Sequence, residues 1–540
     1  MSARTWLSQF ATLCANGNPN GLGDAFTEDA FWRDYLPFGW SLQTLEGRAA
    51  ISQFGATHGP RTAIRNIEFE GDDTDLEGLF RFQTNDGDGR GHIRLENGRC
   101  KTLFTMLETL ASQPATAADQ TEPFVLIAGG GQGGLALGAH LADLHVPYLI
   151  IDKHPRAGGQ WRSRYDSLVL HDPVWYDHLP FKPFPKDWPV FTPKDQMADW
   201  LERYAAELGL NIWPNTELTG ARYDGQSWTA QLAQNGKTIH LKPTHLVLAL
   251  GLSGFPNMPE IAGQELFEGE QIHSSAYHGG ARFAGQNIVV VGANNSAHDI
   301  AADLVKHNAQ PTLLQRSSSL VVRQDDFCRE LLGPLYSAEA IAKGITTDKA
   351  DILQAAMPLK LMEPKQRLIW DKIRSNRRDY YQKLTDAGFC LDFAEDGAGM
   401  GMKYRRTASG YYIDVGAAEM VMDGRIAIKS GHGISHLSQT ALHLDNGETL
   451  DADAIIYATG YGNMTDWVAA LIDQATADRV GPCWGYGSGT KGDPGPWLGE
   501  LRNMWLPTAQ DNLWFTGGNL AQARFYSRLL ALQLAKRFQK

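Results

Sequence analysis

The stretch VLIAGGGQGG, residues 125–134, places five glycines within ten positions, directly after a run of apolar residues. The run VLIA predicts a short buried strand, and the apolar spacing of LALGAHLADL just downstream predicts an amphipathic helix. Glycines between a strand and a helix permit a tight turn and let a ligand approach the backbone closely. The stretch therefore predicts the first turn of a doubly wound α/β domain.

The glycines of this turn fit the pattern GxGxxG, which binds the pyrophosphate of a dinucleotide at the positive end of a helix. An acid at the end of the next strand, YLIID, is placed to accept the ribose hydroxyls. A glycine-rich turn without a ligand is the alternative. The residues predicted to bind this first dinucleotide are Gly129, Gly131, Gly133, Gly134, Asp152 and Lys153.

A second strand–turn–helix pattern, NIVVVGANNSAHDIAADL, spans residues 287–304. Its predicted nucleotide contacts are Gly292, Asn294, Asn295 and Ser296. Asn294 stands where the central glycine is expected; asparagine tolerates left-handed backbone angles but is bulkier, so we expect a weaker site.

The strand after this second helix, PTLLQ, is followed by Arg316 and Ser317. A cation at this place binds the 2′-phosphate of NADP, whereas an acid binds the ribose of NAD, so NADPH is preferred over NADH. A solvated surface arginine is the alternative. Further along, VMDGRIAIKSG with Asp423-Gly424 and LHLDNGETLDADAIIYATG with Asn446-Gly447 predict antiparallel hairpins.

Composition narrows the function classes. A chain of 540 residues exceeds the size of a single hydrophobic core, so two to four domains are expected. A formal charge of −12 without a long basic run argues against nucleic-acid or membrane-surface binding. The five cysteines lie far apart, which excludes a CxxC pair or local zinc knuckle and fits a reducing compartment.

Neither a signal peptide nor a membrane helix is expected. The N-terminus lacks a basic flank followed by an apolar segment. Residues 124–142 carry no charge, but their six glycines suit a strand, turn and helix better than a membrane span. The sequence thus predicts a cytoplasmic protein without a membrane partner.

Residues 113–122, QPATAADQTE, lack apolar periodicity and predict a linker after an N-terminal α+β block, residues 1–112. Within that block, FTEDAFWRDYLPFGWSLQTLEGRAAI resembles the cone-shaped SnoaL-like fold. Asp34 beside Trp32 is a candidate pocket residue, with a structural, lid or dimerisation role as the alternative. A homodimer is left open.

The stretch FEGEQIHSSAY matches FxGxxxHxxxY, the fingerprint of flavin-containing monooxygenases, at Phe267, Gly269, His273 and Tyr277. GGQW at 158–161 and IIYATGYG at 455–462 complete a resemblance that covers about residues 123–540. The resemblance implies FAD and NADPH as cofactors and two doubly wound domains, the NADPH domain (279–438) being inserted in the FAD domain (123–278 and 439–540).

This resemblance also suggests further cofactor contacts, with plain turns and ordinary helix packing as alternatives. Gly159, Gln160 and Trp161 would lie beside the isoalloxazine ring. The helix that follows FTGG, with its positive end toward the flavin, is expected to favour the anionic reduced ring. The remaining predicted contacts are Thr459, Gly460, Gly518 and Asn519.

Departures from the fingerprint bear on the substrate. Ala281 replaces an expected proline or aspartate, and Tyr277 stands where Baeyer–Villiger relatives carry tryptophan, so ketone-to-ester chemistry is less favoured. His171 occupies the place of a flavin-side asparagine, and FTPKDQMADWLERYA is similar to plant YUCCA enzymes, which decarboxylate indole-3-pyruvate. For His171 a structural role, and for His273 a hydrogen bond at the domain junction, are the alternatives.

By this resemblance, hydride passes from NADPH to FAD, and a (hydro)peroxyflavin formed with dioxygen inserts one oxygen atom into a small organic substrate. N- or S-oxidation, oxidative decarboxylation of a 2-oxo acid and Baeyer–Villiger chemistry all fit. The candidate catalytic residues are His171, His273 and Tyr277. An NADPH oxidase or flavin reductase that releases hydrogen peroxide, and a non-catalytic nucleotide-sensing module, are the alternatives.

Overall fold

A computed structural model describes residues 1–112 and 122–539, so all but the last residue of the predicted linker 113–122 lies outside the described residues. The N-terminal domain combines helices with one mixed sheet. Its helices are α1 (Ala3–Asn16), α2 (Pro19–Asp24) and α3 (Arg48–Thr62). Its strands are β1 (Phe26–Tyr35), β2 (Leu42–Glu46), β3 (Arg65–Phe69), β4 (Glu77–Gln83), β5 (Asp88–Glu96) and β6 (Arg99–Leu107).

Both faces of the N-terminal sheet are buried. The strand order is β2-β1-β6-β5-β4-β3, with β1 and β6 parallel and the other neighbours antiparallel. One face packs on α1 to α3 around Trp6, Phe10 and Trp32. On the other face Tyr35 and Phe104 belong to the hydrophobic core of the C-terminal part of the chain. The block is α+β as predicted, and its SnoaL-like character stays a prediction.

Asp34 is fully buried, and its carboxylate accepts hydrogen bonds from the backbone N–H groups of Phe38 and Gly39 and from the Thr105 hydroxyl. Burial raises the pKa of Asp34 to about 7. Since the carboxylate holds a turn of its own domain together, its placement favours the structural alternative over a pocket role.

The other described residues form two five-stranded parallel sheets, two three-stranded antiparallel sheets and a parallel pair of strands, Leu320–Arg323 and Tyr411–Asp414. The strands are β7 (Val125–Ala128), β8 (Tyr148–Ile151), β9 (Ile212–Trp213), β10 (Thr216–Tyr223), β11 (Trp228–Gln234), β12 (Lys237–Leu241), β13 (His245–Leu248), β14 (Glu270–His273), β15 (Asn287–Val291), β16 (Gln310–Gln315), β17 (Leu320–Arg323), β18 (Tyr411–Asp414), β19 (Ala427–Ser430), β20 (Ile434–Leu437), β21 (Ala441–Leu444), β22 (Thr449–Asp451), β23 (Ala454–Tyr457) and β24 (Leu513–Phe515).

Helices connect these strands and cover the sheets. They are α4 (Gln132–Asp143), α5 (Gly159–Arg162), α6 (Val174–Asp177), α7 (Lys194–Glu207), α8 (Asn295–Lys306), α9 (Gln324–Asp326), α10 (Ala338–Ala342), α11 (Thr347–Ala355), α12 (Leu359–Asn376), α13 (Arg378–Asp386), α14 (Gly399–Thr407), α15 (Ala417–Met422), α16 (Met464–Leu471), α17 (Gln474–Val480) and α18 (Leu520–Phe538).

The two parallel sheets confirm the α/β prediction. The first has the order β24-β13-β7-β8-β9 and the second β14-β23-β15-β16-β19. In each, a central strand leads through a glycine turn into a helix, β7 into α4 and β15 into α8. Two strands of the second sheet, β14 and β23, lie outside residues 279–438, so strand pairing extends this sheet beyond the range predicted for the NADPH domain.

One predicted hairpin forms and the other does not. β21 and β22 pair antiparallel across Asn446-Gly447. The hairpin predicted around Asp423-Gly424 is wrong, because residues 417–422 form α15 and β19 pairs parallel with β16. The residues before that turn therefore form a helix and do not add a strand to the second sheet.

Within the described part of the chain, none of the helices combines the length and the apolar character needed to cross a membrane.

Candidate active site

A single large cavity, about 930 Å³ in volume, is lined by residues of both glycine turns. It therefore brings most of the predicted contacts together. The predicted residues on its walls are Gly129, Gly131, Gly133, Asp152, Lys153, Gln160, Trp161, His171, Asn294, Asn295, Ser296, Gly460, Gly518 and Asn519. Those absent from its walls are Gly134, Gly159, His273, Tyr277, Gly292, Arg316, Ser317 and Thr459.

The glycines of the first turn serve different purposes. Gly129 has φ of +116°, and a Cβ there would lie 2.4 Å from the Ala249 carbonyl oxygen. A Cβ on Gly134 would lie 1.9 Å from the Gly129 oxygen. Both glycines are therefore required by the protein itself. At Gly131, by contrast, nothing lies within 4 Å of an added Cβ, which would point into open space at the cavity wall.

Gly131 is also the N-cap of α4, and no side chain caps this helix. The first backbone N–H groups of a helix lack partners within it and carry partial positive charge. An uncapped N-terminus beside a space that only glycine leaves open suits the pyrophosphate of a dinucleotide. The residues present thus fit an adenine dinucleotide at this turn.

Asp152 ends β8 and holds the first turn in place. Its Oδ2 accepts a hydrogen bond from the Gly130 N–H at 2.7 Å, and its Oδ1 accepts one from the His154 N–H at 2.8 Å. Each carboxylate oxygen keeps a lone pair, and Asp152 lies on the cavity wall, so the geometry agrees with the predicted ribose contact.

The second turn repeats the first. Gly292 has φ of +135°, and a Cβ there would lie 2.4 Å from the Ala458 oxygen. Asn294 is the N-cap of α8, but its side chain does not cap the helix; its Oδ1 accepts a hydrogen bond from the Ser319 hydroxyl. The backbone of Asn294 has φ of −102° and is not left-handed. The tolerance of asparagine for left-handed angles is therefore not needed at this turn. The α8 N-terminus is therefore also uncapped by a side chain.

A third helix N-terminus faces the same cavity. Asn519 caps α18, and its Nδ2 donates to the Tyr176 hydroxyl at 3.2 Å. Gly133 permits close contact here, since its Cβ would lie 3.3 Å from the Gly517 Cα. The Trp161 indole N–H donates to Gln132 and the Gln132 amide donates to the Gly518 oxygen, each at 3.3 Å. This chain of contacts joins α4, α5 and the α18 N-terminus.

His273 and Tyr277 lie behind the cavity instead of on its wall. The Nε2 of His273 lies 3.0 Å from the Gly460 carbonyl oxygen, which can only accept, while Nδ1 accepts from the Ser275 N–H. Burial lowers the pKa of His273. This geometry matches the junction hydrogen bond considered as the alternative, and it positions Gly460 at the cavity.

Tyr277 is fully buried, and its hydroxyl donates to Asp303 Oδ2 at 2.7 Å. The same oxygen accepts a hydrogen bond from the Gly280 N–H. A hydroxyl committed to a buried carboxylate away from the cavity has no access to a substrate, so the catalytic role predicted for Tyr277 is not supported.

The GGQW turn also differs from its prediction. A Cβ on Gly159 would lie 2.3 Å from the His154 Cβ, and one on Gly158 would lie 2.4 Å from the Ala198 oxygen. These glycines are required by packing against α7 and the β8 turn, whereas the cavity is faced by Gln160 and Trp161. Gly159 therefore does not reach the cavity, and the cofactor contact of Gln160 and Trp161 stays a prediction.

The remaining predicted residues lie at the edges. Arg316 and Ser317 are exposed and directly follow β16. They are therefore at the carboxyl end of a strand of the second sheet, where the far ribose of a dinucleotide is expected. The Thr459 hydroxyl donates to the Asn257 carbonyl oxygen, which secures the loop after β23.

His171 faces the cavity beside a buried acid on α8. Its Nε2 lies 3.7 Å from Asp299 Oδ2, and the Tyr165 hydroxyl donates to the same oxygen at 2.6 Å. Burial raises the pKa of Asp299, while the His171 charge opposes the rise. His171 thus links the segment that follows α5 to α8, the helix of the second glycine turn.

Sequence reasoning missed the acids next to His171. Asp172 lies on the cavity wall, and Asp177 is 1% exposed with no hydrogen-bond partner for Oδ2. Burial, followed by the Asp172 charge, raises the pKa of Asp177. Tyr176, between them in sequence, is also buried on this wall. All of them belong to the segment YDSLVLHDPVWYDHLPFKPFP, but nothing in its spacing indicates which side chains face inward.

One section of the cavity wall is mainly apolar. It is formed by residues between β17 and β18, a segment that the sequence did not assign to the site. Its apolar members include Leu331, Leu332, Leu335, Leu353, Met357, Met362, Ile369 and Met400, its aromatic members are Phe327, Tyr336 and Tyr404, its charged members are Glu330, Lys365 and Arg405, and Tyr411, the first residue of β18, also lines the cavity. Such a lining suits an organic substrate and excludes water.

Asp172 makes the stability of the protein depend on pH. Burial raises the pKa of Asp172 from 3.8 to about 6, and the His171 charge partly opposes this rise. The folded protein then holds this proton more tightly than the unfolded chain. The stabilising effect is complete below about pH 4 and is lost as the pH rises through about 6.

We therefore expect Asp172→Asn to leave the free energy of unfolding of the apoprotein nearly unchanged at about pH 4 and to raise it by about 3 kcal/mol at about pH 7. Urea unfolding at both pH values measures this difference. Asp187→Asn, at an exposed site, is the control and should change neither value. Equal effects of Asp172→Asn at both pH values would contradict the prediction.

Comparison with known proteins agrees with this geometry. A family model described as pyridine nucleotide-disulphide oxidoreductase matches residues 126–367. The probable indole-3-pyruvate monooxygenase YUCCA1 of Arabidopsis thaliana is 30% identical over 417 residues, which cover 76% of this chain and 93% of that protein.

Solved structures show the same fold at low identity. A flavin-containing monooxygenase from Stenotrophomonas maltophilia matches with a TM-score of 0.51 and 18% identity, over 76% of this chain and 98% of that one. OTEMO in complex with FAD and NADP matches with a TM-score of 0.53 and 16% identity, over 79% and 85%. With two dinucleotide turns meeting at one cavity and a relative of this identity and coverage, the chain belongs to the flavin monooxygenase family, oxidoreductases that work with FAD and NADPH.

Proposed function

We propose that this protein is an FAD- and NADPH-dependent monooxygenase that transfers one oxygen atom of dioxygen to a small organic substrate. The observation that carries the proposal is the meeting of both glycine turns at one cavity, part of whose wall is apolar and would form its substrate end. Two dinucleotides bound at these turns would extend toward a common centre, where hydride transfer and oxygen transfer occur in one enclosed space.

FAD belongs at the first turn. Gly131 and the uncapped N-terminus of α4 would hold its pyrophosphate, and Asp152 its ribose. The isoalloxazine ring would then lie near Trp161 and the N-terminus of α18. When bound, FAD supplies hydride acceptance and the activation of dioxygen.

NADPH belongs at the second turn. The α8 N-terminus at Asn294 would hold its pyrophosphate, and the guanidinium of Arg316 would pair with the 2′-phosphate. The acid that an NAD-specific site requires is missing from this place in the sequence. His273 and Gly460 secure the loop on the opposite side of the cavity.

The chain's own residues would orient the bound cofactors, exclude water and stabilise charge. The positive end of α18, secured by the reciprocal capping of Asn519 and Gln522, favours negative charge on a ring beside it. The Asn519 amide also fixes the Tyr176 hydroxyl. His171, held near Asp299, is placed to donate or accept a hydrogen bond at the cavity wall.

The proposal also concerns the chemical class of the substrate. The likeness to YUCCA1 favours a 2-oxo acid, and the cavity wall carries both acids, Asp172 and Asp177, and the cations Lys365 and Arg405, so its charges do not single out one substrate class. Indole-3-pyruvate, a thioether and a cyclic ketone are therefore the probes that separate oxidative decarboxylation, S-oxidation and ester formation.

We expect the purified protein to be yellow, to lose its colour when NADPH is added without air, and to regain it with dioxygen. Without a substrate, hydrogen peroxide should form in the same amount as NADPH is consumed. With an accepted probe, peroxide should fall while an oxygenated product appears.

Full peroxide release with every probe would favour an NADPH oxidase, and tight nucleotide binding without NADPH consumption would favour a sensing module. A colourless protein that does not take up FAD would contradict the whole proposal. NADH replacing NADPH at equal efficiency would contradict the part that rests on Arg316.

A further inference from the structure

A buried arginine of the N-terminal domain, Arg33, donates hydrogen bonds to the segment that forms part of the cavity wall. Arg33, on β1, is 3% exposed, and its guanidinium extends into the flavoenzyme part of the chain. Nε and Nη2 donate to the two carboxylate oxygens of Glu500 at 2.7 and 2.6 Å. Nη1 donates to the carbonyl oxygens of Ala355 and Met357 at 2.5 and 3.1 Å.

Those two carbonyls belong to the turn between α11 and α12. The last carbonyls of a helix have no partners within it and carry partial negative charge. Ala355 is the last residue of α11, and Met357 lies two residues later in the turn. Arg33 therefore caps α11 from another domain.

The capped turn is part of the substrate end of the cavity. Leu353, Gln354, Met357 and Met362, on both sides of Ala355, line the large cavity. A second cavity of about 50 Å³ is lined by Arg33 itself and shares Gln354 and Met362 with the first. Arg33 thus faces side chains that also line the large cavity.

The carboxylate that orients Arg33 depends on the same domain. Glu500 is 7% exposed, and besides Arg33 it accepts hydrogen bonds from the Tyr35 hydroxyl at 2.8 Å and the Thr44 hydroxyl at 2.6 Å. A guanidinium held at both carboxylate oxygens has little freedom to rotate. Its remaining donors are therefore fixed on the α11–α12 turn.

We propose that the N-terminal domain shapes the substrate end of the active site through Arg33, a positioning residue that holds the wall formed by residues 353–362. The inference rests on the proposed monooxygenase function. A loosened wall admits water, and water access releases hydrogen peroxide before oxygen reaches the substrate. FAD binding and flavin reduction should be spared, because the hydrogen bonds of Arg33 go to Glu500, Ala355 and Met357 and to neither glycine turn.

The test compares the holoenzyme with the double variant Arg33→Met/Glu500→Gln. Changing both residues avoids a buried carboxylate without a partner, which would itself threaten folding. Arg33→Met alone is made as well. The matched control is Lys536→Met, which removes another cation of the same domain interface, paired with Asp86 at 2.8 Å.

Hydrogen–deuterium exchange and peroxide release are measured together. We expect amides in residues 352–361 to exchange at least about tenfold faster in the double variant, with other segments unchanged. NADPH-dependent peroxide release without substrate should rise severalfold, while FAD content and the rate of anaerobic reduction by NADPH stay within about twofold. Lys536→Met should change none of these.

Unchanged exchange at 352–361, or exchange that rises in all segments together with loss of FAD, would overturn the proposal. The same applies if faster exchange leaves peroxide release unchanged. If the wild-type enzyme oxygenates no probe, the proposed function fails by itself, and the exchange and peroxide measurements still decide the role of Arg33.

Discussion

We expect the Gly131→Val variant to purify as a folded but colourless protein. Gly131 has φ of −79° and ψ of −171°, which are extended values that valine adopts readily. An added Cβ meets no protein atom within 4 Å. The fold therefore tolerates valine, whereas the pyrophosphate of FAD has to occupy the same space. Such an overlap costs about 3 kcal/mol or more, which lowers FAD affinity by about 100-fold or more.

Visible flavin absorbance relative to protein absorbance measures FAD content, and thermal unfolding of the apoproteins measures the fold. Gly220→Val, on β10, is the matched control: its Cβ meets only the Leu471 oxygen at 3.8 Å, and we expect it to stay yellow. Gly134→Val provides the opposite contrast, because the clash with the Gly129 oxygen should destabilise the apoprotein as well. A fully yellow Gly131→Val protein would refute the assignment of the first turn to FAD.

The second large effect concerns Arg524 on α18, which is 8% exposed. Nε and Nη2 donate to both oxygens of Asp351, and Nη1 donates to the carbonyl oxygens of Tyr176 and His178, each at 2.7 Å. Arg524→Met leaves the Asp351 charge buried with only the Tyr336 hydroxyl as a donor. We expect a loss of about 3–5 kcal/mol in the free energy of unfolding.

Urea unfolding measures this loss, and two further variants show whether it comes from the buried ion pair of Arg524 and Asp351. Arg528→Met, one helical turn later, removes a half-exposed arginine paired with Glu108 at 3.2 Å and should cost less than about 1 kcal/mol. Arg524→Met/Asp351→Asn should cost less than Arg524→Met alone, because no unpaired charge stays buried. A loss for Arg524→Met no greater than that for Arg528→Met would show that the network does not hold the Tyr176 segment.

Local features of the site were predictable from the sequence. The first glycine turn, Asp152 and the uncapped helix that follows depend on residues close together in the chain, so their spacing alone indicates the geometry. The same holds for the Asn446-Gly447 hairpin. Short-range steric rules determine each of these features.

Contacts between distant segments were not predictable. Tyr277 fits a motif by spacing, but its hydroxyl is directed to Asp303 by the packing of α8. Asp172 and Asp177 follow His171 closely in the sequence, yet only the fold shows that both line one cavity together with residues from between β17 and β18. Arg33 and Glu500 come from opposite ends of the chain, and no periodicity connects them.

The hydrogen bonds of the Glu500 carboxylate limit how the N-terminal domain can be exchanged for a domain of another protein. Within the described residues, every hydrogen bond to its side chain comes from the N-terminal domain, through Arg33, Tyr35 and Thr44. Replacing that domain by a module from another protein would leave the buried Glu500 carboxylate without these hydrogen-bond partners. Chimeras should therefore exchange Glu500 and the α11–α12 turn along with the module.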